Sequence, residues 1–137
     1  MKSKQRYVLD TTVLVSALLI GNSRPSDAFK KCRELGEILL SLPVAEELNE
    51  VLSRKKFDRY ISAEDRKRFL AAFIQEATLI EVTEQITACR DAKDDKFLEL
   101  AVNGNATCIV TGDEDLLAPH PFRGIPILTV NQFLASF

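Results

Sequence analysis

The sequence is poor in the nitrogen and sulfur side chains that bind transition metals. Its single histidine, His120, lies between two prolines, and its three cysteines are far apart, at positions 32, 89 and 108. This spacing lacks the close pairs of a zinc site or a disulfide framework. We therefore expect reduced thiols and a loop histidine that binds no metal.

Neither sign of charge is in excess, and long hydrophobic runs are missing. The chain has 18 Lys and Arg residues against 20 Asp and Glu residues, so any site for a polyanion must be local. No apolar run approaches the roughly 20 residues of a membrane span. The basic start MKSKQR and the apolar stretch after it resemble a secretory signal peptide, but Asp10 within that stretch argues against this alternative. We expect a cytoplasmic protein without membrane association.

The size and pattern of the chain predict one α/β domain over residues 1–137. With 137 residues, 46% of them hydrophobic, the chain can bury one core but is too short for two ordinary domains. Short apolar runs alternate with helical stretches, which is typical of βαβ units and of a parallel sheet covered on both faces. The predicted strands are 7–9, 37–41, 78–82, 107–111 and 126–128, and the predicted helices are 12–20, 25–35, 44–53, 61–77 and 94–105.

Two aspartates follow predicted strands directly or within a few residues. Asp10 comes after the run YVL, and Asp113 comes after CIVTG. Loops at the carboxyl ends of parallel strands converge, so both carboxylates are expected in one crevice. For either acid alone, the simple alternative of a helix cap stays open.

Further acids lie on or beside two predicted helices. Glu47 borders the apolar stripe of helix 44–53, and Asp91, Asp94 and Asp95 crowd a helix start, where capping explains one or two of them. Several carboxylates brought together cannot all stay ionised without compensation. A divalent cation resolves this conflict, and ligands that are all oxygen suit Mg²⁺ or Mn²⁺. Because such ions promote phosphodiester hydrolysis, nucleic acid is the natural substrate class.

In order and spacing, four segments resemble the PIN domain family, small nucleases that include the VapC-like toxin ribonucleases of toxin-antitoxin systems. The segments are YVLDTTVLVSALL, LSLPVAEELNEVLSRKKFDRY, DAKDDKFLELAVNGNATCIVTGDEDLL and IPILTVNQFL. The resemblance implies a three-layer α/β/α sandwich with a mainly parallel sheet of about five strands. It also implies Mg²⁺- or Mn²⁺-dependent cleavage of single-stranded RNA, a homodimer and an antitoxin partner.

Carried over one position at a time, the resemblance implies a set of acidic site residues. The catalytic residues it implies are Asp10, Glu47, Asp95 and Asp113. Reading back without gaps from TGD favours Asp95, while its neighbour Asp94, which the helical wheel places nearer the apolar stripe, stays open as an alternative. The implied metal ligands are therefore Asp10, Asp95 and Asp113, with Asp94 as the alternative and Asp115 as a support acting through water.

A basic stretch, SRKKFDRY, follows the helix that carries Glu47. We predict that Arg54, Lys55, Lys56 and Arg59 contact the RNA backbone, although a solvated helix end is the simpler alternative. Two other functions stay open. A haloacid-dehalogenase-like phosphatase also has an aspartate after its first strand, but it needs a second aspartate where Thr12 stands. A catalytically silent PIN-like domain would only bind RNA or a protein.

Overall fold

The computed structural model describes residues 5–137, and the basic residues 1–4 lie outside this part. The strands are β1 (Gln5–Leu9), β2 (Gly36–Leu40), β3 (Thr78–Leu79), β4 (Cys108–Val110) and β5 (Ile127–Leu128). The α-helices are α1 (Thr11–Leu19), α2 (Arg24–Leu35), α3 (Leu42–Leu52), α4 (Ala63–Glu76), α5 (Asp95–Asn103), α6 (Glu114–Leu117) and α7 (Val130–Ser136). Two short 3₁₀ helices span Lys55–Phe57 and Ala92–Asp94.

The five strands form one parallel sheet in the order β3-β2-β1-β4-β5. β1 lies at its centre, where Tyr7 pairs with Ile38 of β2 on one side and with Cys108 of β4 on the other. The strand order reverses beside β1, so a crevice opens at the carboxyl ends of β1 and β4. The predicted α/β/α sandwich with a mainly parallel sheet is confirmed.

The apolar stretch near the start of the chain forms β1 and α1, which belong to the core. Tyr7 and Val8 are fully buried in β1, and Val13 and Leu14 are buried in α1. The last three residues of β1 and of β2 are apolar and buried, and so is all of β4, as expected for a parallel sheet that helices cover. No helix within residues 5–137 is long and apolar enough to cross a membrane.

β3 is shorter than the predicted strand 78–82. It pairs with β2 only through Leu39 with Thr78 and Leu40 with Leu79. The ladder ends there because Ser41, the residue that follows β2, is the N-cap of α3. Its hydroxyl accepts from the Val44 N–H. The chain from 80 to 91 therefore runs on without regular structure before it reaches the 3₁₀ helix at Ala92–Asp94.

Helix ends follow their capping signals more closely than their apolar patterns. Ser62 caps α4, and its hydroxyl oxygen accepts from the Asp65 N–H at 3.1 Å. Two helices, α6 and α7, were not among the predicted ones. α7 begins at a capping box in which Thr129 and Gln132 exchange side-chain and backbone hydrogen bonds. The pattern T-x-x-Q is a recognisable sequence signal for such a box.

Candidate metal centre

A pocket of about 390 Å³ opens where β1 and β4 end. Five acidic side chains line it, together with three cationic ones and several apolar ones. The acids are Asp10, Glu47, Asp91, Asp94 and Asp113, and the cations are Arg54, Lys56 and Lys93. The pocket thus brings together Asp10, Glu47 and Asp113, which the sequence predicts as neighbours, and it adds Asp91, which was singled out only as a helix-start residue.

Asp10 is both a helix cap and a member of the pocket. Its Oδ1 accepts from the Val13 N–H at 2.8 Å, and its Oδ2 accepts from the Thr111 hydroxyl. Only 4% of the residue is exposed. Burial raises the pKa of Asp10, and the nearby negative charge of Asp113 adds to this, against the opposing hydrogen bonds from Thr111 and Val13.

Thr111 joins the two aspartates that follow the central strands. Its hydroxyl donates to Asp10 and accepts from the Asp113 N–H at 3.0 Å. Asp113 in turn caps α6, where its Oδ1 accepts from the Asp115 N–H at 2.8 Å. Sequence reasoning missed Thr111, because its partner Asp10 is 101 residues away in the chain.

Asp94, and not the preferred Asp95, faces the pocket. The Oδ1 of Asp95 accepts from the N–H groups of Ala88 and Cys89, at 3.1 and 2.8 Å, so it anchors the loop before α5. Burial opposes ionisation of Asp95, but these backbone bonds outweigh it and lower its pKa. Asp94 ends the 3₁₀ helix, and one helical step of about 100° separates its direction from that of Asp95.

The carboxyl group of Asp94 is in an unusual environment. The residue is 9% exposed, and its Oδ2 has no hydrogen-bond partner among the described residues. The pKa of Asp94 is raised to about 7, and burial is the main cause. The charge of Asp113, a hydrogen bond with Asp113, and the charges of Asp91 and Asp10 raise it further. A cation at this point would relieve both the repulsion and the unpaired oxygen.

Asp115 lies close to the carboxylates of Asp91 and Asp94. One carboxylate oxygen each of Asp91, Asp94 and Asp115 lie within 4.8 Å of one another. Asp115 also pairs with Arg90, whose Nε is 3.0 Å from its Oδ1. Oxygen is the donor throughout, and the pocket lining includes neither histidine nor cysteine. The residues present therefore fit a hard divalent cation such as Mg²⁺ or Mn²⁺.

Glu47 differs from the aspartates that line the pocket because, among the described residues, it is the lining acid that forms an ion pair with a lysine. Oε2 accepts from the Thr11 hydroxyl, and Oε1 accepts from Lys96 Nζ at 2.8 Å. Glu47 thereby connects α1, α3 and α5. The helical-wheel argument placed Glu47 at the border of a buried stripe, and its half-buried position agrees with that placement.

The basic residues predicted to contact RNA divide into two pairs. Arg54 and Lys56 line the pocket, whereas Lys55 and Arg59 are exposed outside the lining. Lys93 is a further lining cation that sequence reasoning missed. Lys93 directly precedes Asp94 within an acidic run, and this position gives no indication that it has a separate role.

Comparisons with known proteins agree with this geometry. A family model described as PIN domain matches residues 6–115. The uncharacterised protein MJ1680 of Methanocaldococcus jannaschii is 30% identical over 119 residues, which cover 85% of this chain and 76% of that protein.

Two solved structures have a similar fold. A chain of VapBC2 from Rickettsia felis, bound to a DNA fragment from its promoter, has a TM-score of 0.64 and 16% identity, with 91% of this chain and 98% of that chain covered. PAE2754 from Pyrobaculum aerophilum has a TM-score of 0.63 and 18% identity, with coverages of 96% and 88%. At these identities the two structures support the fold alone.

Proposed function

The chain belongs to the PIN domain family, and from this premise we propose that it is a Mg²⁺- or Mn²⁺-dependent endoribonuclease that cleaves single-stranded RNA. The proposed nuclease domain is the whole chain, residues 1–137. The observation that carries the proposal is the buried carboxyl of Asp94, which has one oxygen without a partner among residues 5–137 and lies in a pocket with Asp10 and Asp113.

We propose that Asp10, Asp94 and Asp113 hold the cation, with Asp94 in the place first given to Asp95. Asp91 and Asp115 extend the set on the outer side. The bound ion would activate water and stabilise the leaving oxygen in phosphodiester hydrolysis. The chain's own contribution is preorganisation: Val13 and Thr111 fix both oxygens of Asp10 before any ligand arrives.

The charges around the pocket support a phosphate-containing substrate. Arg54, Lys56 and Lys93 lie near the acids, where they would attract the backbone of a single strand and offset the repulsion between carboxylates and phosphates. Phe57 also lines the pocket and offers a ring for base stacking. Thr12 lines it at the position where a haloacid dehalogenase needs an acid, so we do not propose the phosphatase.

We further propose that the protein is a toxin component with an antitoxin partner, and that it forms a homodimer. The likeness to a chain of VapBC2 supports the first part of this proposal. Light scattering after size-exclusion chromatography, with and without the product of a neighbouring small gene, tests both parts. A monomer that gains no partner would contradict them.

The cleavage test compares two adjacent aspartates. Single-stranded RNA is incubated with Mn²⁺ and with wild-type protein, Asp94→Asn, Asp113→Asn or Asp95→Asn. Asp95→Asn is the matched control, because an amide oxygen still accepts the two loop N–H bonds. We expect loss of cleavage in the first two variants and in excess chelator, and retention of most cleavage in the control. Full activity of Asp94→Asn would contradict the ligand set, and hydrolysis of a small phosphate ester alone would favour the phosphatase.

A protein that binds Mn²⁺ but cleaves no RNA would instead favour the silent binding module. Duplex RNA and single-stranded DNA complete the substrate panel. We expect single-stranded RNA to be cut fastest, since an unpaired base can stack on Phe57, which lines the pocket.

A further inference from the structure

Among the described residues, Glu47 is the pocket acid that is held by a cation as well as by a hydroxyl. Thr11 donates to one of its oxygens and Lys96 donates to the other. The two donors come from different helices, α1 and α5, and their partner lies on α3. Direct binding of a cation by Glu47 would place that cation close to the Lys96 ammonium, which already balances the charge of the carboxylate.

Lys96 reaches Glu47 from the protein side of the site. Its side chain is only 20% exposed, and Lys96 is not among the residues that line the pocket, whereas Glu47 is. Its ammonium group also lies 5.8 Å from the centre of the Phe97 ring, which restricts the lysine stem. Lys96 is therefore placed to hold Glu47 and not to contact a phosphate.

Thr11 ties this arrangement to the first aspartate. Thr11 is 7% exposed and follows Asp10 directly at the start of α1. The same helical turn thus carries Asp10, with its cap to Val13, and the hydroxyl that orients Glu47. Any rotation of α1 would move Asp10 together with the hydroxyl that orients Glu47.

We propose, building on the nuclease function proposed above, that Lys96 is a positioning residue of the metal centre. Lys96 keeps a positive charge beside Glu47 and, together with Thr11, fixes the direction of its carboxylate, so that Glu47 orients water bound to the cation and does not replace that water as a direct ligand. Partners of this kind commonly affect metal affinity or activity about 10- to 100-fold. The charge of Lys96 also balances that of Glu47, which leaves the aspartates as the acids that need the ion.

The test measures metal hydration as well as cleavage. Water-proton relaxation of the Mn²⁺-loaded protein counts the water molecules on the ion. Lys96→Met frees an oxygen of Glu47 to reach the ion, so we expect about one bound water fewer than in wild type. We expect its cleavage rate at saturating Mn²⁺ to be about 10- to 100-fold lower. Lys96→Arg keeps a cationic donor and restores both values, and Lys30→Met, an exposed lysine on α2, changes neither.

Three results would overturn the proposal. The first is unchanged hydration and cleavage in Lys96→Met. The second is impairment of Lys96→Arg equal to that of Lys96→Met. The third is a gain of one bound water in the single variant Glu47→Gln, because this would identify Glu47 as a direct ligand in wild type.

Two controls separate this proposal from folding defects and from the nuclease function. The double variant Lys96→Met with Glu47→Gln carries no unpaired charge, so we expect it to fold and to keep the wild-type number of water molecules on the ion. If the double variant loses one water, as Lys96→Met is expected to, the role of Glu47 is contradicted. Wild type that shows the expected hydration pattern but cleaves no RNA refutes the nuclease and supports the positioning role. Wild type that binds no Mn²⁺ refutes both.

Discussion

Asp94 makes the stability of the metal-free protein depend on pH in an unusual direction. Its pKa is raised from the ordinary 3.8 to about 7, mainly by burial. A raised pKa means that folding favours the protonated acid, so the stabilisation is complete below about pH 4 and is lost as the pH rises through 7. A difference of about 3 pH units corresponds to roughly 4 kcal/mol at about 1.36 kcal/mol per unit.

The perturbation is Asp94→Asn, which removes the titration but keeps the shape. Without metal, we expect the free energy of unfolding of wild type to fall by up to roughly 4 kcal/mol between about pH 4 and pH 8 relative to the variant. Urea unfolding at several pH values, monitored by circular dichroism, measures this difference. Asp95→Asn is the matched control, since its acid has a lowered pKa and its loss acts in the opposite direction.

The same proton links metal binding to pH. A cation that needs ionised Asp94 must displace the proton below about pH 7, so Mn²⁺ affinity should rise up to about tenfold per pH unit there and level off above it. Calorimetry in buffers of different ionisation enthalpy counts the protons released. Mn²⁺ affinity that is flat from about pH 5 to pH 7, together with no gain in stability for Asp94→Asn, would refute this account of the site.

Three further predictions concern other parts of the structure. Thr111→Val leaves the buried Asp10 Oδ2 without a donor. Calorimetry should therefore show weaker Mn²⁺ binding, and urea unfolding should show a loss of about 1–3 kcal/mol in stability. Thr111→Ser should keep the wild-type affinity and stability, and equal defects in the two variants would contradict the role of the hydroxyl. Arg66 is 3% exposed and donates to Leu52 O, Ile61 O and Asp58, so Arg66→Met should cost on the order of 3 kcal/mol in thermal unfolding, unlike exposed Arg68→Met. Lys56→Gln should reduce the salt dependence of RNA binding by about one phosphate contact in a filter assay, whereas an unchanged salt slope would place the RNA elsewhere.

The sheet was predictable because each buried strand appears in the sequence as a short apolar run, and the spacing of these runs leaves room for the helices between them. Asp10 and Asp113 were placed together by one rule, that the carboxyl ends of parallel strands converge, and they line one pocket. β3 was overestimated because a run of β-branched residues shows no sign of where its partner strand stops. β2 stops pairing at Leu40, which is a tertiary fact.

The choice between Asp94 and Asp95 shows where sequence reasoning ends. Both belong to one acidic run, and the direction of each side chain depends on the 3₁₀ turn that precedes α5. Thr111 and Lys96 were missed for a related reason: their partners are 101 and 49 residues away. Local patterns identify which residues can act in a site, whereas the register between distant elements decides which of them do.

The pairing of β1 with β4 also has a consequence for protein synthesis. Asp10 is made among the first residues of the chain, yet Thr111 and Asp113, which complete its surroundings, come after about four-fifths of the chain. A nascent chain that stops before β4 has α1 and α3 but no second central strand, so the acids cannot converge. The pocket can therefore assemble only after β4 has been synthesised and has paired with β1.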